Sequence, residues 1–101
     1  MMKPVQIHPE AEAEMINSAK WYEQQQANLG KRFLSTVQDS FNRVEFNPLL
    51  FPLIDGDVRR CLTTSFPFAV LFRVQPSRIA VIAVMHLSRD PDYWKNRKVD
   101  P

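Results

Sequence analysis

The chain has 101 residues, 45% of them hydrophobic, which is enough for one compact core and too little for two. Its 13 basic and 11 acidic residues leave a net charge of +2, so contact with nucleic acid or an acidic protein is permitted but not required. The single cysteine, Cys61, excludes an internal disulfide and a cysteine-rich metal site. We therefore expect residues 1–101 to form one domain, and no motif in them indicates a metal, a nucleotide or another cofactor.

The N-terminal region does not have the pattern of a signal peptide. Pro4 and Pro9 interrupt the first residues before a long apolar stretch can form, and no later apolar run approaches the length that spans a membrane. A lone cysteine also suits a reducing compartment. These features predict a cytoplasmic protein without a membrane partner.

A short strand and a helix are predicted first. Apolar and polar residues alternate over residues 3–7, which is typical of an edge strand. Proline at position 9 and the glutamates that follow it favour a helix that begins near Pro9. Three- and four-residue spacings give this helix an apolar stripe made of Ala11, Met15, Ile16, Ala19 and Tyr22. Trp21 falls beside the stripe, so we expect it to be exposed and to mark a partner surface.

A second helix follows a break that we place at residues 28–30. Its apolar side consists of Phe33, Leu34, Val37, Phe41 and Val44. The helix should end by Asn47, because a residue that precedes proline is disfavoured in helical geometry. The next residues, 47–56, are rich in turn formers and are predicted to be a loop.

Three strands are predicted in the second half, at residues 57–63, 68–74 and 79–85. The last two are joined by residues 75–78, which carry proline where a tight turn favours it, and so form a hairpin. Apolar residues occupy both faces of this hairpin. We therefore expect it to lie in the middle of a sheet, with one face covered by other elements and the other partly shielded or offered to a partner.

The order of the elements predicts an α+β fold of the type β-α-α-β-β-β. Two helices joined by a short loop form an antiparallel hairpin, and their apolar stripes need a cover. The strands of the second half supply it. We therefore expect an N-terminal strand and a helical hairpin packed on a small antiparallel sheet.

Four stretches of the sequence resemble the RelE/ParE superfamily, the toxins of bacterial type II toxin-antitoxin pairs, once called plasmid stabilisation proteins. They are HPEAEAEM, WYEQQQANLGKRFL, VRRCLTTSFPFAVLFRV and AVMHLSRDPDYWKNR, and together they extend from about Ile7 to Arg97. The resemblance implies a helical hairpin against an antiparallel sheet and a cognate antitoxin as partner in a hetero-oligomer. It also implies one of two targets, which are DNA gyrase for ParE-like relatives and messenger RNA on the ribosome for RelE-like relatives.

Two departures favour the ParE-like side of the superfamily. Ribonuclease relatives commonly use an arginine on the strand that corresponds to residues 68–74, and Ala69 stands at the matching position here. The lysine-rich face of the strongest RNA cleavers is also missing. The resemblance therefore implies a gyrase inhibitor, with a ribosome-dependent mRNA endoribonuclease as the alternative.

The residues that would serve the ribonuclease alternative lie in the second half. Cleavage of RNA by its own 2′-hydroxyl needs a general base, a general acid and positive groups near the phosphate. His86 and Tyr93 are the candidates for proton transfer. Arg60 and Arg89 are candidates for stabilising the phosphate, and they join Arg59 as candidates for binding a target.

Each candidate also has a structural interpretation. His86 at a strand end can act as a hydrogen-bonding residue, and Tyr93 with Trp94 can close the edge of the core. The arginines can form local ion pairs, Arg59 and Arg60 with Asp55 and Asp57, and Arg89 with Asp90 and Asp92.

Overall fold

The computed structural model describes residues 2–98. In chain order the helical half consists of β1 (Val5–Ile7), α1 (Pro9–Gln25) and α2 (Leu29–Phe46). After a 3-10 turn at Pro48–Leu50, the other strands are β2 (Leu53–Asp55), β3 (Val58–Leu62), β4 (Phe68–Val74) and β5 (Ile79–His86). The predicted α+β class is confirmed, with one strand, two helices and then the rest of a five-stranded sheet.

The two helices start and stop at signals that the sequence contains. Helix α1 begins at Pro9, as predicted, and α2 ends at Phe46, just before the residue that precedes Pro48. The break between them lies at residues 26–28, slightly earlier than expected. The Glu23 carboxylate accepts hydrogen bonds from the amide of Asn28, just before α2, and from that of Gly30 in its first turn, which lets α2 begin at Leu29. Neither of these helices, in the part of the chain described, is long and apolar enough to cross a membrane.

The sheet is mixed rather than wholly antiparallel. Its strand order is β1-β5-β4-β3-β2, and β1 runs parallel to β5 while all the other neighbours are antiparallel. The predicted antiparallel sheet therefore needs correction at one edge. Turn residues mark hairpins between strands that are close in sequence, but nothing local fixes the direction in which β1 pairs with a strand more than 70 residues away.

Strand β2 lies inside the stretch that was predicted to be a loop. It pairs with β3 through Leu53 and Arg59, and the register shifts before Asp55 pairs with Val58. Gly56 makes the tight connection, with a φ of 55° that suits glycine. A three-residue strand next to Pro52 is too short to show a periodic pattern in the sequence. Its formation depends on pairing with the neighbouring strand β3.

The first face of the sheet carries the main core. Helix α2 contributes Phe33, Val37, Phe41 and Val44, all almost completely buried. Helix α1 packs Ala11, Met15, Ala19 and Tyr22 against the same cluster, and Trp21 is exposed, as predicted. The strands complete the core with Cys61, Phe68, Val70, Phe72, Ile79, Val81 and Val84. The apolar stripes predicted for the helices therefore face the sheet, except at Ile16 and Leu34. These two side chains are exposed, because they lie along the groove between the helices instead of over the sheet.

The second face carries a smaller cluster with no helix over it. Its strand residues are Val58, Ala69, Leu71, Ile82, Ala83 and Met85. Trp94 and Tyr93, from the chain beyond β5, pack on these residues. This arrangement confirms that the apolar hairpin has two covered faces and that the second cover is the smaller.

Candidate target-binding site

The C-terminal segment, defined as residues 90–97, folds back over the second face of the sheet. A series of turns carries it, with backbone hydrogen bonds from Tyr93 to Asp90 and from Lys95 to Asp92. Trp94 lies at its centre and is only 3% exposed. Its indole Nε1 has no hydrogen-bond partner among residues 2–98. Apolar contact therefore holds Trp94 in place.

Glu10 of α1 pairs with Arg97 at 3.2 Å and Asp55 pairs with Lys95 at 3.1 Å, and both pairs tie this segment to the rest of the molecule. The least exposed tie is the carboxylate of Glu14 on α1. Its two oxygens accept hydrogen bonds from both terminal nitrogens of Arg97 at 2.9 Å, a paired geometry that strengthens the ion pair. The Val84 amide donates to the same carboxylate at 3.1 Å. Glu14 and Arg97 are 13% and 11% exposed in their side chains, so little solvent screens their charges.

The Glu14–Arg97 pair also closes the free edge of β5. Strand β1 ends its pairing near Val81, where the His8 amide donates to the Val81 carbonyl. Beyond that point, Arg97 donates to the Ile82 carbonyl at 2.9 Å while Glu14 accepts from the Val84 amide. Side chains thus satisfy backbone groups that another strand would otherwise pair with.

Tyr93 is part of the same network. Its hydroxyl donates a short hydrogen bond of 2.5 Å to Glu14, and the Arg89 guanidinium carbon lies 3.6 Å from the centre of its ring. Arg89 also pairs with Glu14 at 3.2 Å, rather than with Asp90 or Asp92. Burial, followed by the bond to Glu14, raises the pKa of Tyr93 well above its ordinary value. Tyr93 is therefore held as a neutral donor.

His86 lies at the end of β5 on the opposite side of the sheet. Its ring packs edge-on against Phe68, a residue of the first-face core, with 5.1 Å between the ring centres. The Ser88 amide donates to Nδ1 at 3.0 Å, and the Ser88 hydroxyl lies 2.7 Å from the same atom. Because an amide can only donate, the neutral ring carries its proton on Nε2.

The two arginines of β3 face opposite sides of the sheet. Arg59 is directed toward the helices and donates to the Phe51 carbonyl at 2.7 Å, which fixes the turn before β2. Arg60 lies on the second face and is exposed, and its side chain makes no hydrogen bond or ion pair within residues 2–98. Neither arginine pairs with Asp55 or Asp57, since those carboxylates hold Lys95 and Arg73.

The structure brings only some of the predicted residues together. Tyr93 and Arg89 are in contact, and Arg60 shares the second face with Tyr93. His86 lies on the first face, so the sheet separates the two candidates for proton transfer. General acid and base catalysis of one reaction needs both groups within hydrogen-bonding reach of the substrate.

The sequence did not point to Glu14 and Arg97 as a pair. Glu14 was one of several glutamates that complement the dipole of α1, and Arg97 was one of many basic residues near the C-terminus. Both lie within the stretches that resemble the toxin superfamily. Their separation of 83 residues leaves no local spacing from which their contact can be inferred.

The sequence of the chain matches a known protein family. Residues 5–91 match the family model described as the ParE toxin of the type II toxin-antitoxin system parDE. The chain belongs to this family. A solved structure of the chromosomal ParDE toxin-antitoxin system from P. aeruginosa is similar in fold, with a TM-score of 0.66 and 19% sequence identity. The similarity covers 86% of this chain and 98% of that one. No curated protein matches the chain by sequence.

The family match confirms the sequence-based prediction of a ParE-like toxin. It also confirms the expectation of a partner, since a type II toxin pairs with a cognate antitoxin. The comparisons do not test the roles predicted for individual residues. These roles stay predictions for His86, Tyr93, Arg59, Arg60 and Arg89.

Proposed function

We propose that this ParE-family toxin acts in the cytoplasm by binding DNA gyrase and inhibiting it, and that its cognate antitoxin neutralises it. The observation that best supports a binding mechanism is the position of His86 and Tyr93 on opposite faces of the sheet. A toxin that works by occupying its target needs a surface rather than a catalytic pair.

The environment of Tyr93 supports the same proposal. A general acid works best when its pKa lies near the working pH, and burial and the Glu14 bond move the pKa of Tyr93 the other way. Arg89, one of the candidates for stabilising a phosphate, is paired with the same carboxylate, and so is Arg97. The cluster is therefore suited to holding the C-terminal segment in place.

The second face offers the best candidate surface for gyrase. Arg60 is the predicted target-binding residue with an uncommitted charge among those described, whereas Arg59 is committed to the Phe51 carbonyl. Leu62 lies two residues farther along the same strand and is also exposed. A free guanidinium beside an exposed apolar side chain is typical of an interface anchor.

The first test measures supercoiling of relaxed plasmid by purified DNA gyrase at increasing toxin concentration. We expect inhibition by the wild type, and inhibition weakened about tenfold or more for Arg60→Ala, as for an anchor of an interface. Arg32→Ala, which removes the same charge from an exposed position on α2, is the matched control and should inhibit like the wild type.

Induced expression in cells tests the mechanism itself. Plasmid topology and mRNA ends are read from the same samples, and we expect gyrase-linked DNA breaks or lost supercoiling with intact messages. Cuts at fixed codon positions in translated messages, together with full gyrase activity at saturating toxin, would overturn the proposal in favour of ribosome-dependent RNA cleavage. His86→Ala and Tyr93→Phe would then be the variants to test for loss of cutting.

A further inference from the structure

The β2 edge of the molecule exposes a group of large apolar side chains, which we call the edge patch. They belong to the consecutive residues 46–54, which contain the end of α2, the 3-10 turn and β2. None of these residues is charged. The side chains of the edge patch, with exposed fractions of 78%, 66%, 75%, 55% and 39%, are Phe46, Leu49, Leu50, Leu53 and Ile54.

The area of the edge patch is large for a chain of this size. The exposed fractions are together equivalent to about three fully accessible side chains, or roughly 500 Å² of apolar surface. Soluble monomers rarely leave a contiguous apolar surface of more than roughly a few hundred Å² uncovered. Single exposed apolar residues need no explanation, but a run of them at one edge of the sheet indicates an interface.

The edge of the sheet at this patch is open. Strand β2 is the last in the order β1-β5-β4-β3-β2, and among the described strands it pairs with β3 alone. The Arg60 amide donates to the Pro52 carbonyl, so the next pair along the ladder, Leu53 with Arg59, lies at a position without hydrogen bonds. The backbone amide and carbonyl of Leu53 are therefore directed away from β3, toward the open edge.

The composition of the edge patch favours a second copy of the chain as its partner. In a two-fold interface the same surface meets itself, so a charge near the axis would meet a like charge. The uncharged residues 46–54 avoid this repulsion. Charges of both signs lie beside the patch, since Lys3 and Glu45 line a groove together with Phe46 and Leu49. A rim that carries both signs suits an interface that must be complementary to itself.

We propose that the edge patch is the interface of a two-fold symmetric dimer of this chain, in which the β2 strands of the two copies pair antiparallel. The Leu53 amide of each copy donates to the Leu53 carbonyl of the other, which joins the two sheets into one. The two patches together remove about 1,000 Å² of apolar surface from water, the area that a specific interface needs. This inference goes beyond the proposed function and does not depend on the target.

The mass of the purified full-length toxin over a series of concentrations tests the dimer. We expect sedimentation velocity to show twice the monomer mass as the concentration rises, and no larger species, because a two-fold interface is closed. A wild type that stays monomeric at the highest concentration, or that assembles beyond the dimer, would overturn the proposal.

A matched pair of variants locates the interface. Leu50→Lys should weaken dimerisation about tenfold or more, since each dimer would have to bury two added charges. Leu87→Lys makes the same change at an exposed leucine outside the edge patch and should dimerise like the wild type. Because both leucines are exposed, both variants should keep the circular dichroism spectrum of the wild type. An equal loss of dimer in the two variants would place the interface elsewhere and contradict the proposal.

A cysteine at position 53 tests the register of the paired strands. The Cα atoms of the two Leu53 residues should lie about 5.5 Å apart across the axis, within the range that a disulfide spans. Leu53→Cys should therefore form a disulfide-linked dimer under mild oxidation, whereas Leu87→Cys should not. Native Cys61 is fully buried and does not compete. Equal cross-linking at the two positions, or none at position 53, would contradict the pairing of β2.

The same variants distinguish a second copy from other partners of the edge patch. If the wild type is monomeric and Leu50→Lys weakens gyrase inhibition, the patch binds the target and the proposal is wrong. If the wild type is monomeric and Leu50→Lys weakens antitoxin binding, the patch belongs to the antitoxin interface and the proposal is equally wrong. A toxin that dimerises as expected but leaves gyrase unaffected would support the dimer and contradict the proposed function alone.

Discussion

Helices of 17 and 18 residues cover the first face of the sheet, whereas a few turns at residues 90–97 cover the second. The first cover relies on many interlocking apolar side chains. The second relies on Trp94 and on one carboxylate that binds two arginines and a tyrosine. Hydrophobic burial distributes stability over many residues, while a polar anchor concentrates it in a few. A single substitution at the anchor should therefore loosen the second cover while the first cover stays packed.

Breaking the first cover should have the largest effect. Phe33 is fully buried and contacts Tyr22, Phe66 and Phe68 ring against ring. Phe33→Ala should lower the free energy of unfolding by about 3–5 kcal/mol, through lost burial and the cavity that remains. Urea unfolding followed by circular dichroism measures this change. Arg32→Ala, at an exposed neighbouring position, should change stability little, and an equal loss in both variants would contradict the assignment of the core.

Breaking the anchor of the second cover should have the next largest effect. Glu14→Ala leaves the Arg97 guanidinium with the more exposed Glu10 as its carboxylate partner and the Tyr93 hydroxyl without its acceptor. Loss of one partner from a fully buried ion pair costs about 3–5 kcal/mol, and partial exposure reduces our expectation here to about 2–3 kcal/mol. Urea unfolding checks the loss, with the exposed Glu12→Ala as control.

Fluorescence shows whether the same substitution loosens the cover itself. In a Trp21→Phe background, Trp94 is the remaining tryptophan of the chain. We expect Glu14→Ala to shift its emission to the red and to make it accessible to a quencher in the absence of urea, because the segment that carries it keeps only the more exposed Glu10–Arg97 pair among its described ion pairs with α1. If the free energy of unfolding falls as expected but the emission is unchanged, Trp94 stays packed without the Glu14 carboxylate.

The contrast between the covers also explains what the sequence can predict. Residues such as Phe33, Val37, Phe41 and Val44 repeat at helical spacing, so burial toward one side follows from periodicity. The hairpin of β4 and β5 follows from two apolar runs around a proline turn. These local patterns predicted the order of the elements apart from β2, and the fact that both faces of the hairpin are covered.

The remaining features depend on contacts between distant parts of the chain. The parallel pairing of Val5 with Ile79 and the contact of Glu14 with Arg97 each join the two ends of the sequence. A glutamate in the first helix has the same local appearance whether it faces solvent or binds a buried arginine. For the candidate site, the sequence therefore identified Tyr93 and Arg89 but not the carboxylate that holds them, and it could not show that His86 lies on the other face.

The substitution with the smallest expected effect removes a single hydrogen bond from the anchor of the second cover. Tyr93→Phe eliminates the hydroxyl that donates to Glu14 but keeps the ring under Arg89, so we expect a loss of about 1 kcal/mol at neutral pH. Folding raises the pKa of Tyr93, which means that the folded protein keeps the phenolic proton at a pH where the unfolded chain releases it. The stability from this group is therefore complete below the ordinary tyrosine pKa of about 10 and declines as the pH rises above it.

Urea unfolding of the wild type and of Tyr93→Phe from pH 7 to above pH 10 checks this dependence. The difference in unfolding free energy between the two should be constant up to about pH 10 and should then shrink. Tyr22, whose pKa burial also raises, is present in both proteins, so its contribution cancels in the comparison. A difference that stays constant through the alkaline range would mean that the Tyr93 hydroxyl is not sequestered against Glu14 and that Arg97 and Trp94 hold the second cover without it.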